Sequence, residues 1–377
     1  MIISLRHHRS LRVCFSLISV VIVFALCLHQ RLLTLQPEER HVQKVSPTTK
    51  LRAINFDDRI SHITMKLAAD HYVPGPGVNI PQGFERRMGK LRLPLTADIA
   101  STVVKDGAVI YVDANALRVF VTNYLAKIRV RFVLVSGDTD LCIPNCMFDE
   151  NPDLLTRLLT APTLLHWYTT NCNGTLLHPT HISCMPIGLE QHNKALETMQ
   201  VAYVEGFGLA NGLEPLNRPW ETDDGKQVLI SFRIGTNVPG RLPPWNFFCS
   251  RNESILSSLS LNTLSVRTVA NCFFDKKLAR YRFYKYALSQ SHFVLSPAGQ
   301  GLDAYRTYEA LLLGAYPIVI TSELDVLFKD LPVLILEAWE DLSLEILRKT
   351  YADFQAKTWD YSSLYVSYWA AKWQSHA

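Results

Sequence analysis

The chain has 377 residues, 48% of them hydrophobic and 19% charged, with 38 basic against 34 acidic side chains and a net charge of +4. That length accommodates two ordinary domains, and that apolar content excludes a largely disordered chain. So small a charge excess excludes a nucleic-acid-binding face read from composition, and no repeat or low-complexity tract is present.

The N-terminus carries Arg6, Arg9 and Arg12, then an uncharged apolar run from Val13 to Leu28. A basic flank before roughly 16 apolar residues predicts a short membrane span of type II orientation. The expected layout is a cytosolic tail at 1–12, a transmembrane signal-anchor at 13–29 and a polar stem at 30–52. Cleavage after the small-x-small run Ala25-Leu26-Cys27 is the alternative. Either way the remainder is exported.

An α/β domain is expected over 53–215. "GAVIYV" (107–112) and "VRFVLVSG" (130–137) are strand-length apolar runs flanking a segment of helical spacing at Leu117, Val121, Tyr124 and Leu125. That is a βαβ unit, which requires a parallel sheet. "NPDLLTRLLTAP" opens as helices do, and "TLLHWYTTN" and "HISCMPIGL" read as further buried strands. Asp138-Thr139-Asp140 follows a strand end. It suits a Mn²⁺ or Mg²⁺ site bridging a diphosphate, a turn, or a general base acting on an acceptor hydroxyl. His166, Glu190 and His192 also follow or end strands and are further base candidates. His178-x-x-His181 has zinc spacing but includes Pro179 and reads as a loop.

Six cysteines lie beyond the apolar run. An even number in an exported chain predicts disulfides, and short-range pairing is least demanding: Cys142 with Cys146, Cys172 with Cys184, Cys249 with Cys272. Asn173-Gly174-Thr175 and Asn252-Glu253-Ser254 are glycosylation sequons.

Residues 211–226 have the proline, glycine and charge density of a linker. A second α/β domain is expected over 225–345, giving two Rossmann-like domains with the ligand crevice at the carboxyl ends of their strands. "SFRIGTNVPGR" sets Arg233 and Arg241 around a loop after the first strand. Then "HFVLSPAGQGLDAYRTYEALLLGAYPIVI" reads as strand, glycine turn, helix, strand. Gly299 and Gly301 permit close backbone approach, and Asp303 is a natural N-cap. Arg306 can fork onto phosphate oxygens, while Glu309, one turn on, can accept from a ribose diol. The set fits a nucleoside diphosphate, with Arg233 and Arg241 as supporting cations. The bland alternative is a surface ion pair beside an ordinary turn. Over 346–377 aromatic residues recur in steps of three and four, predicting one helix that either stacks sugars or packs over the domain junction.

Ser296-Pro297, Gly299, Arg306, Glu309-Ala310, Gly314 and Pro317-Ile318-Val319 together resemble the C-terminal region of exostosin-type (family 47) glycosyltransferases and the related ribitol xylosyltransferase. The likeness covers about residues 275–337, with Ala298 and Ala315-Tyr316 departing from the common pattern. It implies a type II Golgi or endoplasmic reticulum protein of two-domain GT-B architecture. It also implies transfer of a sugar from a nucleotide-sugar donor to a glycan or glycoprotein, with no metal cofactor required. The alternatives are a metal-dependent GT-A enzyme using Asp138 and Asp140, and a non-catalytic glycan-binding protein on a transferase fold.

Overall fold

A computed structural model describes residues 58–75, 104–173, 180–190, 227–268, 270–272 and 287–376. The N-terminal span and stem, the 211–226 linker, His178 and His192 lie outside these residues. No described helix is long and apolar enough to cross a membrane.

Two five-stranded, wholly parallel sheets form the framework. The first comprises β1 (His71–Val73), β2 (Ala108–Asp113), β3 (Phe132–Gly137), β5 (Leu164–Thr169) and β7 (Ile182–Cys184), in the order β1-β2-β3-β5-β7. The second comprises β8 (Val228–Ile230), β9 (Ala270–Cys272), β10 (Phe293–Leu295), β11 (Tyr316–Ile320) and β12 (Leu334–Leu336), in the order β12-β11-β10-β8-β9. Two short strands, β4 (Ile143–Pro144) and β6 (Cys172–Asn173), pair beside the first sheet. Every residue of β2 and β3 is buried, the pattern of strands covered on both faces.

On one face of the first sheet Ile110, Val112 and Leu134 pack on α1 (Leu117–Asn123) and α2 (Pro152–Leu159). On its other face Val109, Tyr111, Val133 and Tyr168 pack on Ile60, Met65, Trp369 and Trp373. The second sheet is covered on one side by α3 (Val238–Cys249) and α5 (Leu344–Ala356), and on the other by α4 (Tyr305–Leu312). The three short-range disulfides form as expected.

Two expectations change. The C-terminal segment is not one aromatic helix. Helix α5 ends at Ala356, and Asp360 then accepts from the backbone and hydroxyl of Ser362, turning the chain before α6 (Val366–Gln374) begins. The aromatic stripe therefore divides. Tyr351 and Phe354 pack on the second sheet, while Trp369 and Trp373 cross back to the first. Because of this return, the C-terminal segment packs on both sheets. The segment "ELDVLFKD" is a 3₁₀ turn (Glu323–Leu327) with a Ser322–Asp325 capping box.

Candidate active site in the crevice between the sheets

The second sheet changes winding direction between β8 and β10, which are hydrogen-bonded neighbours although β9 lies between them in sequence. Loops leaving the carboxyl ends of strands at such a point bound a crevice. From β8 the chain passes Arg233 and a short turn into the first turn of α3, which carries Arg241, and from β10 comes the turn Ser296–Asp303, so the two segments meet. Asn237 Nδ2 donates to the Gly299 carbonyl at 2.7 Å. Arg241 Nε donates to the Ala298 carbonyl at 2.9 Å, and its Nη1 to the Arg233 carbonyl at 3.1 Å. A Cβ on Gly299 would stand 3.4 Å from the Arg241 guanidinium. The turn is thus wrapped around one cation. Arg306 sits close by: the Arg241 pKa is pulled down by burial first, and then by the like charge of Arg306. Arg233 itself is exposed at the mouth.

Arg306 Nη1 lies 3.3 Å from Glu309 Oε2, with the Glu309 side chain only 4% exposed. This is no solvated surface pair. Two guanidiniums and one buried carboxylate surround the turn, together with the exposed Arg233.

Asp303 takes a role other than the one expected, and Gly301 has a close neighbour in the first sheet. The helix starts at Tyr305 with Ala304 at its cap position, so Asp303 is not the N-cap. Its buried carboxylate accepts from the Ile187 N–H at 2.8 Å, the Ala304 N–H at 2.8 Å and the Tyr308 hydroxyl at 2.6 Å. Burial pushes its pKa up to about 6 against those three donors. Ile187 follows the first sheet, so Asp303 braces one sheet against the other. A Cβ on Gly301 would come within 2.7 Å of the Asn171 side chain. Asn171, buried with φ of 48°, donates to the Thr139 carbonyl at 2.6 Å and accepts from the Asp303 N–H at 2.8 Å. Gly301 is glycine because the first sheet passes too close for a side chain.

The facing wall comes from the first sheet. Asp138 leaves β3 in the left-handed region, φ 63°, with its N–H bonded to His62 Nδ1 at 3.0 Å. Lys66 Nζ, on the helix His62–Ala68, lies 2.5 Å from Asp138 Oδ2 and 2.8 Å from Asp113 Oδ1. Tyr72 and the Gly75 N–H bind the other Asp113 oxygen. Lys66 and Asp113 are buried, whereas Asp138 is 34% exposed. Asp140 is exposed and Glu190 half-buried. Across the crevice the Tyr305 phenol is pushed upward, by burial first and then by the charges of Asp138, Glu190 and Asp140, and its ring stands edge-on to His62 at 6.2 Å.

Lys66 already supplies the cation for Asp138, and among the described residues no His, Cys, Asp and Glu cluster is suited to a metal ion. His166 is not in the crevice. It faces α6, stacked 4.4 Å from His376, with Nε2 2.9 Å from Ser183 Oγ. Burial, then His376 and His181, hold its pKa down to about 4. Of the sequons, Asn252 is exposed, whereas the Asn173 side-chain Oδ1 accepts from the Asn145 N–H at 3.3 Å.

Asn171, Lys66, His62, Asp113, Asn237 and Tyr305 carry no signal in sequence beyond residue type. Asn171 alone had a cue, an asparagine directly after a buried strand, where left-handed backbone is common.

No curated protein sequence matches the chain. A solved structure titled as an OtsA apo structure is 13% identical and aligns over 74% of this chain and 74% of its own, at a TM-score of 0.38, too low to carry an argument. Residues 254–360 match the family model described as the RXYLT1 C-terminal domain, an exostosin-related glycosyltransferase domain. That span includes Gly299, Gly301, Arg306 and Glu309, while Arg233, Arg241 and the facing wall lie outside it.

Proposed function

We propose that the protein is a glycosyltransferase that moves a sugar from a nucleotide-sugar donor to a hydroxyl of a glycan or glycoprotein. The observation that carries this reading is the Gly299 turn. It is wrapped around Arg241, with Arg306 near enough to depress the Arg241 pKa and the Glu309 carboxylate alongside. Two guanidiniums held near each other repel unless an anion lies between or above them. In this reading a donor diphosphate supplies that anion, with Arg306 and Arg233 forking onto its oxygens. Glu309 is then the acceptor for the ribose hydroxyls.

In this reading the acceptor enters from the Asp138 side. Its hydroxyl oxygen bonds to the anomeric carbon while the bond from that carbon to the diphosphate breaks. The acceptor proton passes to Asp138, and the arginines neutralise the departing nucleoside diphosphate. Lys66, anchored on Asp113, fixes the orientation of Asp138. A metal is not required to hold the diphosphate, since the arginines occupy that electrostatic role. The disulfides support a secretory compartment, in keeping with a Golgi or endoplasmic reticulum protein of type II topology.

The test is release of nucleoside diphosphate from UDP-, GDP- and CDP-sugar panels by wild type and Arg306→Ala. Turnover of one donor, lost in the variant with its fold intact, is the expected result. Turnover of none, together with binding of glycans, marks a non-catalytic glycan-binding protein.

A further inference from the structure

A second cavity, of about 380 Å³, lies outside the crevice. It abuts β7, the edge strand of the first sheet, at Ile182–Cys184, and is closed by the turn Glu323–Leu327, the turn Ser362–Leu364 and α6. Neither the arginine cluster nor Asp138 or Glu190 lines it. Its volume falls near the low end of the range of about 300–1,000 Å³ usual for small-molecule sites.

The lining has two characters. Tyr368 offers a half-buried ring backed by the buried Tyr168 and Trp369, with Trp369 edge-on to both tyrosines at ring separations of 6.2 and 5.3 Å. Asp330, Asp360 and Lys372 stand exposed at the rim, the Lys372 ammonium 4.7 Å from the Tyr368 ring centre, while Ser183 and Ser363 add polar positions. The Tyr168 phenol is pushed up by burial first and then by neighbouring Tyr368, so it stays a neutral hydrogen-bonding group at physiological pH. A wholly apolar ligand would strip water from the rim charges without replacing their hydrogen bonds. A small ion would leave the rings unused. A pyranose offers a C–H face to the rings and a girdle of hydroxyls to the carboxylates, the ammonium and the serines.

We propose that this cavity is a saccharide-binding site for one or two neutral sugar rings, separate from the donor crevice. Nothing in the proposal depends on transfer chemistry. The aromatic C-terminal segment therefore divides its work between packing, through Trp369 and Trp373, and sugar contact, through Tyr368.

The test is saturation-transfer NMR on the full chain with the methyl glycosides of glucose, galactose and xylose, N-acetylglucosamine and lactose, at up to about 50 mM, well above the millimolar constants of weak sites. Transfer to at least one of these sugars is expected, persisting in saturating UDP or GDP. Tyr368→Ala and Asp330→Ala should each weaken it by about tenfold. Thermal unfolding reports whether each variant is folded, and Asp360→Ala and Lys372→Ala at the exposed rim serve if Tyr368→Ala is not. Transfer to none of the sugars, transfer unchanged in the folded variants, or displacement of the sugar by nucleotide would each overturn the proposal. A failure of nucleotide binding with sugar binding intact strikes only the donor-site reading.

Discussion

Replacing Gly301 by alanine separates two explanations of the glycine turn. If the glycine is there to let a phosphate approach, alanine costs nucleotide affinity and little stability. If it is there because Asn171 passes beneath, alanine costs stability. A Cβ at Gly301 meets Asn171 Nδ2 and Oδ1 at 2.7 Å and Cγ at 2.9 Å. Asn171 has little room to retreat, since its side chain bonds Thr139 and Asp303 and its own carbonyl accepts from Ile143 at 3.0 Å. Overpacking of a fixed neighbour costs about 1–3 kcal/mol, and each hydrogen bond broken in relief about 1 kcal/mol. We expect Gly301→Ala to lose about 2–3 kcal/mol, read as a fall in urea midpoint and in Tm. Truncating the neighbour in the same chain, Gly301→Ala with Asn171→Gly, should cost less than the sum of the single changes, because glycine tolerates the left-handed backbone there and removes the clash. Gly301→Ala within about 0.5 kcal/mol of wild type, or single costs that simply add, would refute the packing explanation.

Asp303 gives a pH signature. Its folded pKa of about 6 lies above the ordinary carboxylate value, so its contribution is fully present below about pH 4 and is lost as pH rises through 6. Comparing Asp303→Asn with wild type by urea unfolding from pH 4 to 7, the wild-type advantage should shrink by roughly 3 kcal/mol across that window. A constant difference contradicts the assignment. Asp138→Asn should abolish sugar transfer while leaving nucleotide affinity unchanged, measured by turnover and by titration. Lost nucleotide affinity would place Asp138 on the donor instead. Glu309→Gln should weaken nucleotide binding by about tenfold, the scale of one charge-assisted hydrogen-bond pair. Unaltered affinity removes Glu309 from the donor site.

The sheets were legible because "GAVIYV" and "FVLVSG" are apolar without alternation, which only strands buried on both faces require. The disulfides were legible because each closes a short loop. The Arg306–Glu309 pair was legible because the two are neighbours on one helix and the glycine turn precedes them. The facing wall was not. Lys66 meets Asp138 across 72 residues of sequence and Asn171 meets Asp303 across 132. Neither pairing leaves a local periodic trace. Asp303 looked like a cap because aspartates before helices usually are; here its carboxylate was drawn to the Ile187 amide of the other sheet. The aromatic periodicity of the C-terminal segment ran across a real break at Asp360, since spacing alone carries no record of where the chain turns.

The most direct measurement is thermal unfolding of the full chain with UDP, GDP and CDP, each in EDTA and in Mn²⁺. A ligand at about 100 times its Kd adds about 2.7 kcal/mol, a shift of several degrees for a chain of this size. The account predicts stabilisation by one nucleotide in EDTA, absent in Arg306→Ala. Stabilisation only with Mn²⁺, or by no nucleotide at all, would contradict it.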